Sequence, residues 1–151
     1  MAAAQPHTAH DLTSTFGRLA EAYTALERRL GRQLEEGCGL PHSWFEVMLR
    51  ISRAEGGFAS MGALAEQVAL TTGGITRMVD RLIATGYVER VPCPSDRRVV
   101  YAALTSAGRA KLEEARRVNE AGLREVFDDF SADDLGRLDG LLDQLRGLRR
   151  E

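Results

Sequence analysis

The chain has 151 residues, 44% of them hydrophobic, with 20 basic and 22 acidic side chains and a formal net charge of −2. That length supports one substantial core without disulfides or a structural metal, and the mixed charge with plentiful apolar residues excludes a disordered protein. No apolar run reaches the ~18–20 residues that cross a bilayer, the first residues lack a basic-then-greasy leader pattern, and the two cysteines, Cys38 and Cys93, do not make a disulfide scaffold. A cytoplasmic protein is therefore expected. The charge is uneven along the chain. Residues 71–104 hold Arg77, Arg81, Arg90, Arg97 and Arg98 against Asp80, Glu89 and Asp96, whereas the segments on either side are net acidic.

Residues 1–10 read as a flexible polar tail and 11–151 as a single domain. From Leu12 the residues Leu12, Phe16, Leu19, Tyr23, Leu26, Leu30 and Leu34 alternate spacings of three and four, which draws one apolar stripe down a helix of about six turns. Gly37-Cys38-Gly39 ends it. Pro41 and the capping-box pattern Ser43-x-x-Glu46 open a second helix, apolar at nearly every turn, which Gly56-Gly57 breaks. Ser60 caps a short helix bearing Met61, Leu64, Ala65 and Val68. Thr71-Thr72 cap another with Ile75, Met78, Val79, Leu82 and Ile83, and the pair reads as a helix-turn-helix. Gly86 stops the second of these, after which Tyr87–Val91 and Arg98–Leu104 read as two strands around the turn Pro92–Arg97. Thr105 caps a long charged helix, and Ser131-x-x-Asp134 starts a last one with Leu135, Leu138, Leu142, Leu145 and Leu148. The fold class is mainly α with a small β-hairpin wing: a winged helix-turn-helix at about 41–104, with helical dimerisation segments at about 11–36 and 105–150.

A B-form major groove admits one helix, which reads base edges from its N-terminal residues. Thr71, Thr72, Gly73 and Gly74 are small enough for close approach, exposed backbone N–H groups can meet a phosphate, and Thr76 and Arg77 face outward. Ile75, Met78, Val79 and Leu82 repeat at core spacing, so one face packs and the other is left to read. The hairpin tip, with Ser95, Asp96, Arg97 and Arg98 after two stiffening prolines, delivers a cation suited to a narrow minor groove. Asp96 repels phosphate and is read as pairing with a neighbouring arginine to fix its direction. Arg81 and Arg90 can touch phosphates or form solvated ion pairs with Asp80 or Glu89. The apolar stripes at both ends exceed what a small winged domain can cover, so a homodimer on a palindromic double-stranded DNA operator is expected, its two reading helices ~10–10.5 base pairs apart.

The run Leu64-Ala65-Glu66, Gly74-Ile75-Thr76-Arg77-Met78-Val79-Asp80-Arg81-Leu82, Gly86-Tyr87-Val88-Glu89-Arg90, Asp96-Arg97-Arg98 and Leu104-Thr105-Ser106-Ala107-Gly108 resembles the MarR family of bacterial winged-helix repressors. The resemblance spans about residues 12–148. It implies a homodimer whose first, fifth and sixth helices intertwine, with Arg98 as the wing arginine, Asp96 as its orienting partner, and Thr76 and Arg77 on the recognition helix. It also implies a small aromatic or phenolic anion as effector. Trp44 then reads either as a core aromatic or as a wall of an effector pocket with Arg18, Tyr23, His42 and Met48, of which Tyr23 and Met48 are also core candidates. Two further readings stay open: thiol-based redox sensing through Cys38 or Cys93, and a protein-interaction adaptor that keeps the fold without DNA. Cys38 is read as lying in the loop after the first helix, and the surroundings of neither cysteine supply an evident thiolate-stabilising group. Cys38-x-x-x-His42 and His7-x-x-His10 are only pairs, short of a zinc shell, and no phosphate loop, nucleophile elbow or paired acid and base marks an enzyme.

Overall fold

The computed structural model describes residues 9–68, 72–93, 95–96 and 98–147. The tail expected over 1–10 therefore lies mostly outside the described residues, and Ala9 and His10 form the start of a helix. That helix, α1 (Ala9–Cys38), carries the long stripe and ends where Gly39, at φ 67°, donates its N–H to the Glu35 carbonyl at 2.9 Å. A left-handed glycine just past the last turn closes the helix without steric cost. Cys38 is thus the last residue of α1, not part of the loop.

Helix α2 (His42–Arg53) begins two residues earlier than the Ser43-x-x-Glu46 pattern suggests. The Pro41 carbonyl already accepts from Trp44 and Phe45 N–H at 3.0 Å, so Ser43 lies inside the first turn and caps nothing. A single 3-10 turn at Glu55–Gly57 follows, then a strand the periodicity does not reveal, β1 (Phe58–Ser60). Helix α3 (Met61–Gln67) is capped by Ser60, whose hydroxyl accepts from Ala63 N–H at 3.2 Å. Helix α4 (Thr72–Ala84) ends in paired bonds, Tyr87 N–H to Leu82 O at 3.0 Å and Gly86 N–H to Ile83 O at 2.9 Å, with Gly86 at φ 79°. This closing motif points the chain straight into the wing.

Strands β2 (Val88–Pro92) and β3 (Val100–Leu104) pair antiparallel, Arg90 opposite Ala102, and β1 adds to the other edge of β3, giving the order β1-β3-β2. Arg98 and Val99 belong to the turn, not to the second strand. Helix α5 (Ser106–Val126) starts at Thr105, which accepts from Gly108 N–H at 3.0 Å and donates to the Gly86 carbonyl at 2.6 Å. One threonine therefore caps α5 and ties it to the root of the wing. Gly108 is needed there, because a Cβ would lie 1.9 Å from the Tyr87 carbonyl oxygen. At the other end of that contact, Lys111 Nζ donates to the Cys38 carbonyl at 2.6 Å, binding α5 to the end of α1. A cation at a helix C-terminus also meets its partial negative charge.

The core gathers Leu34, Phe45, Val47, Met48, Ile51, Leu64, Ile75, Val79, Leu82, Val88, Ala102, Leu104 and Leu112, so α2 is central and packs against both the helix-turn-helix and α5. The outer half of α1 is different. Leu12, Phe16, Leu19 and Tyr23 remain exposed, Phe16 at 71%, although they continue the stripe that Leu30 and Leu34 bury. Helix α6 (Ala132–Gly147) opens on Ser131, whose hydroxyl accepts from Asp134 N–H at 3.2 Å, yet none of its residues is buried and Leu141, Leu142 and Leu145 are exposed. Leu148 lies outside the described residues. Among the described residues, no helix is long and apolar enough to cross a membrane.

Candidate nucleic-acid interface

Helix α4 has two faces of opposite character. Ile75, Val79 and Leu82 are fully buried, whereas Gly73, Arg77, Asp80 and Arg81, spaced as one helical stripe, are exposed. Nothing within 4 Å would meet a Cβ at Gly73, so the surface at the start of the helix is flat and open. Thr76 is half-buried beside Arg77. Arg77 and Arg81 engage no acidic side chain among the described residues, which leaves both guanidinium groups available for an outside acceptor. Thr71 lies outside the described residues, and Thr72 opens the helix.

Asp80 binds Arg90 on β2 through a carboxylate–guanidinium bond. Of the two possibilities open for Arg90, the ion pair is the one formed. It links the exposed face of α4 to the wing strand. Being half-exposed, the pair contributes little to overall stability, and its consequence is geometric.

At the tip, Asp96 bonds the main chain of Arg98 and not its guanidinium. Its Oδ1 accepts the Arg98 backbone N–H at 2.9 Å and its carbonyl accepts from Val99 N–H at 3.0 Å. This side-chain-closed turn takes the place of the guanidinium pairing expected from sequence for Arg98, for which no ion pair forms among the described residues. Arg97 lies outside the described residues, while Ser95, Asp96 and Arg98 are exposed.

Beneath the tip, Cys93 is buried, its Sγ 3.2 Å from Ser95 Oγ. The Ser95 hydroxyl, then the Ser95 and Asp96 backbone N–H groups, pull the thiol down to about 7 against the opposing effect of burial. These groups favour a thiolate where the sequence made none evident, since Ser95 stands in the sequence but its approach to the thiol, and that of the turn N–H groups, is set by the fold. Cys38 is buried and its thiol donates to the Leu34 carbonyl at 3.2 Å.

The effector candidates separate. Met48 is fully buried in the core, and Trp44 is half-buried against it. Arg18 and Tyr23 are exposed on α1, Tyr23 at 63%. His42 Nδ1 lies 3.9 Å from Glu27 Oε1, and the Tyr23 phenol is raised by partial burial, then by Glu27 and Glu46. Tyr23 and His42 are therefore brought to one acidic locality between α1 and α2. Among the described residues, no group of three or more His, Cys, Asp or Glu side chains is placed to hold a metal ion.

A helix-turn-helix whose second helix keeps an open arginine face, followed by a braced hairpin, defines a winged helix-turn-helix protein. Comparison with known proteins places it more closely. The MarR family profile matches residues 39–99. The multiple antibiotic resistance protein MarR of Escherichia coli is 36% identical over 80 residues, which are 52% of this chain and 56% of that protein. An uncharacterized HTH-type transcriptional regulator of Mycobacterium bovis is 30% identical over 109 residues, 72% of this chain and 76% of that one. Sco3205, a MarR family transcriptional regulator from Streptomyces coelicolor solved in complex with DNA, superposes with a TM-score of 0.81 at 26% identity and covers 98% of this chain and 93% of its own. The chain belongs to the MarR family of winged helix-turn-helix transcriptional regulators.

Proposed function

We propose that the chain is a sequence-specific double-stranded DNA-binding transcriptional regulator of the cytoplasm, a repressor acting as a homodimer on a palindromic operator and released by a small ligand. It works by binding and not as an enzyme. The observation that carries the reading is the exposed α4 face with Arg77 and Arg81, braced by Asp80–Arg90 to the hairpin that presents Arg98. The likeness to Sco3205, solved with DNA, supports it. In this arrangement the α4 N-terminus, with Thr71, Thr72, Gly73 and Thr76, approaches the major groove and a phosphate, and Arg77 donates to a base edge, a bidentate guanine contact being worth about 1–3 kcal/mol of discrimination. Ser95, Asp96, Arg97 and Arg98 form the wing contact, with Arg98 entering the minor groove.

The exposed stripes of α1 and α6 support the dimer, because residues as apolar as Phe16, Leu19, Leu141 and Leu145 gain stability by covering one another. The dimerisation segments are then α1, α5 and α6. The effector, a small aromatic or phenolic compound, occupies a pocket completed across the two-fold axis beside Tyr23, His42 and Trp44, with Arg18 countering an anion. It releases DNA only if it binds one spacing of the reading helices better than the other. The test is a gel shift with DNA from upstream of the protein's own gene. Arg98→Ala should weaken binding strongly, and an unchanged affinity rejects the wing's role.

A second reading has its own observation. The lowered Cys93 thiol, buried at the base of the wing, supports oxidant sensing that changes the tip it underlies. Peroxide treatment should then weaken DNA binding in the wild type and not in Cys93→Ser.

A further inference from the structure

At the β1 edge of the sheet, the Glu55–Gly57 turn, β1, β3 and α3 line an open groove of about 530 Å³. That size falls in the range of small-molecule sites. Its walls are mixed, with the aromatic rings of Phe58 and Tyr101 beside the polar Glu55, Ser60 and Gln67. Phe58 and Tyr101 stand on the outward face of the sheet, their ring centroids 5.0 Å apart at 58°, while the intervening Ala59 and Ala102 point into the core. The Phe58 ring is fixed from below by Gly56: at φ 70° this residue brings its backbone so close that a Cβ would lie 2.8 Å from the ring. Ser60 and, from α3, Ala63 and Gln67 complete the lining.

The electrostatics of the groove are one-sided. Glu55 is the sole charged side chain among its described lining residues, and it forms no ion pair among the described residues. An exposed carboxylate that lines the same groove as two aromatic rings favours a cation by its charge, and the ring quadrupoles add to that attraction. The same groove repels a carboxylate or phenolate ligand. We propose that it is a binding site for an organic cation with an aromatic or aliphatic body, of the arylalkylammonium class. Its ammonium group sits against Glu55 and the ring faces, and its apolar body lies over Ala63. The site is separate from Arg18, Tyr23, His42 and Trp44, none of which lines it, and takes ligands of opposite charge. It also adjoins the wing, since Tyr101 is one residue into β3, the strand that follows directly on the Arg98 turn.

The experiment is an amide NMR titration of the full chain with phenethylammonium, repeated with 3-phenylpropionate as the isosteric anion. Phenethylammonium should give saturable shifts confined to residues 54–60, 63–67 and Tyr101. Glu55→Gln, an exposed change that leaves the fold intact by its own spectrum, should weaken it by about threefold or more, and Phe58→Leu likewise. The anion should bind at least about tenfold more weakly. The proposal is overturned if no saturable shift develops by about 20 mM, if the shifts fall elsewhere, if the anion binds as tightly, or if Glu55→Gln leaves the affinity unchanged.

Discussion

Replacing Asp96 by alanine separates two effects of opposite sign. The carboxylate sits in a DNA-facing tip, so removing it relieves repulsion from phosphate. At about 8–10 Å in water that repulsion is about 0.4–0.5 kcal/mol before salt screening. The same carboxylate accepts the Arg98 backbone N–H at 2.9 Å and holds the turn that aims the side chain. A hydrogen bond of that kind contributes about 1 kcal/mol. The difference is about 0.5 kcal/mol per wing and about 1 kcal/mol for a dimer with two wings, which is about a fivefold loss of operator affinity. Asp96→Asn keeps an oxygen that accepts the same N–H while deleting the charge, so it should bind at least as tightly as the wild type. Fluorescence anisotropy with a labelled operator duplex at fixed salt reads both variants. If Asp96→Ala binds as tightly as the wild type or better, the turn does not orient Arg98 and charge alone governs the tip.

Gly108→Ala forces a Cβ to 1.9 Å from the Tyr87 carbonyl oxygen, where an ordinary contact is about 3.3 Å. Helix α5 must shift off the wing root, and the midpoint of thermal unfolding should fall by at least about 5 °C by calorimetry. Phe16→Glu combined with Leu19→Glu alters side chains exposed in the single chain, so sedimentation should show a folded monomer where the wild type is dimeric. Cys93 should react with iodoacetamide at a rate rising through about pH 7, and Ser95→Ala should move that rise upward. Because this thiol is lowered on folding, the stability it contributes is present above the unfolded thiol's range near pH 8.5. It is lost as pH falls through about 7, so denaturant midpoints should rise between pH 7 and 9 in the wild type more than in Cys93→Ser.

The long stripes and the caps were legible because each rests on residues close in sequence. Ser60, Thr105 and Ser131 make the bonds their spacing implies, and Gly86 closes α4 as a glycine at that place should. Ser43 failed because Pro41 starts the helix with its own carbonyl, a choice the capping-box spacing does not record. Strand β1 is three residues long between a glycine turn and a capping serine, too short to show alternation, and it exists because β3 offers an open edge. At the site, Arg77 and Arg98 were legible as exposed cations by their position relative to buried neighbours. How Asp96 acts, through the Arg98 backbone N–H, and why the Cys93 thiol is lowered, by the Ser95 hydroxyl first and then turn N–H groups, depend on how the turn between β2 and β3 folds, which side-chain order alone does not disclose.

The most direct measurement is sedimentation of the protein with a fluorescent duplex from upstream of its own gene, beside a scrambled duplex of equal length, over a series of salt concentrations. Two chains should bind each specific duplex, the scrambled one should need much higher protein concentration, and affinity should fall steeply and linearly in log salt, with a shallower slope for Arg98→Ala. Equal affinity for both duplexes, or a single chain bound per duplex, would contradict the account.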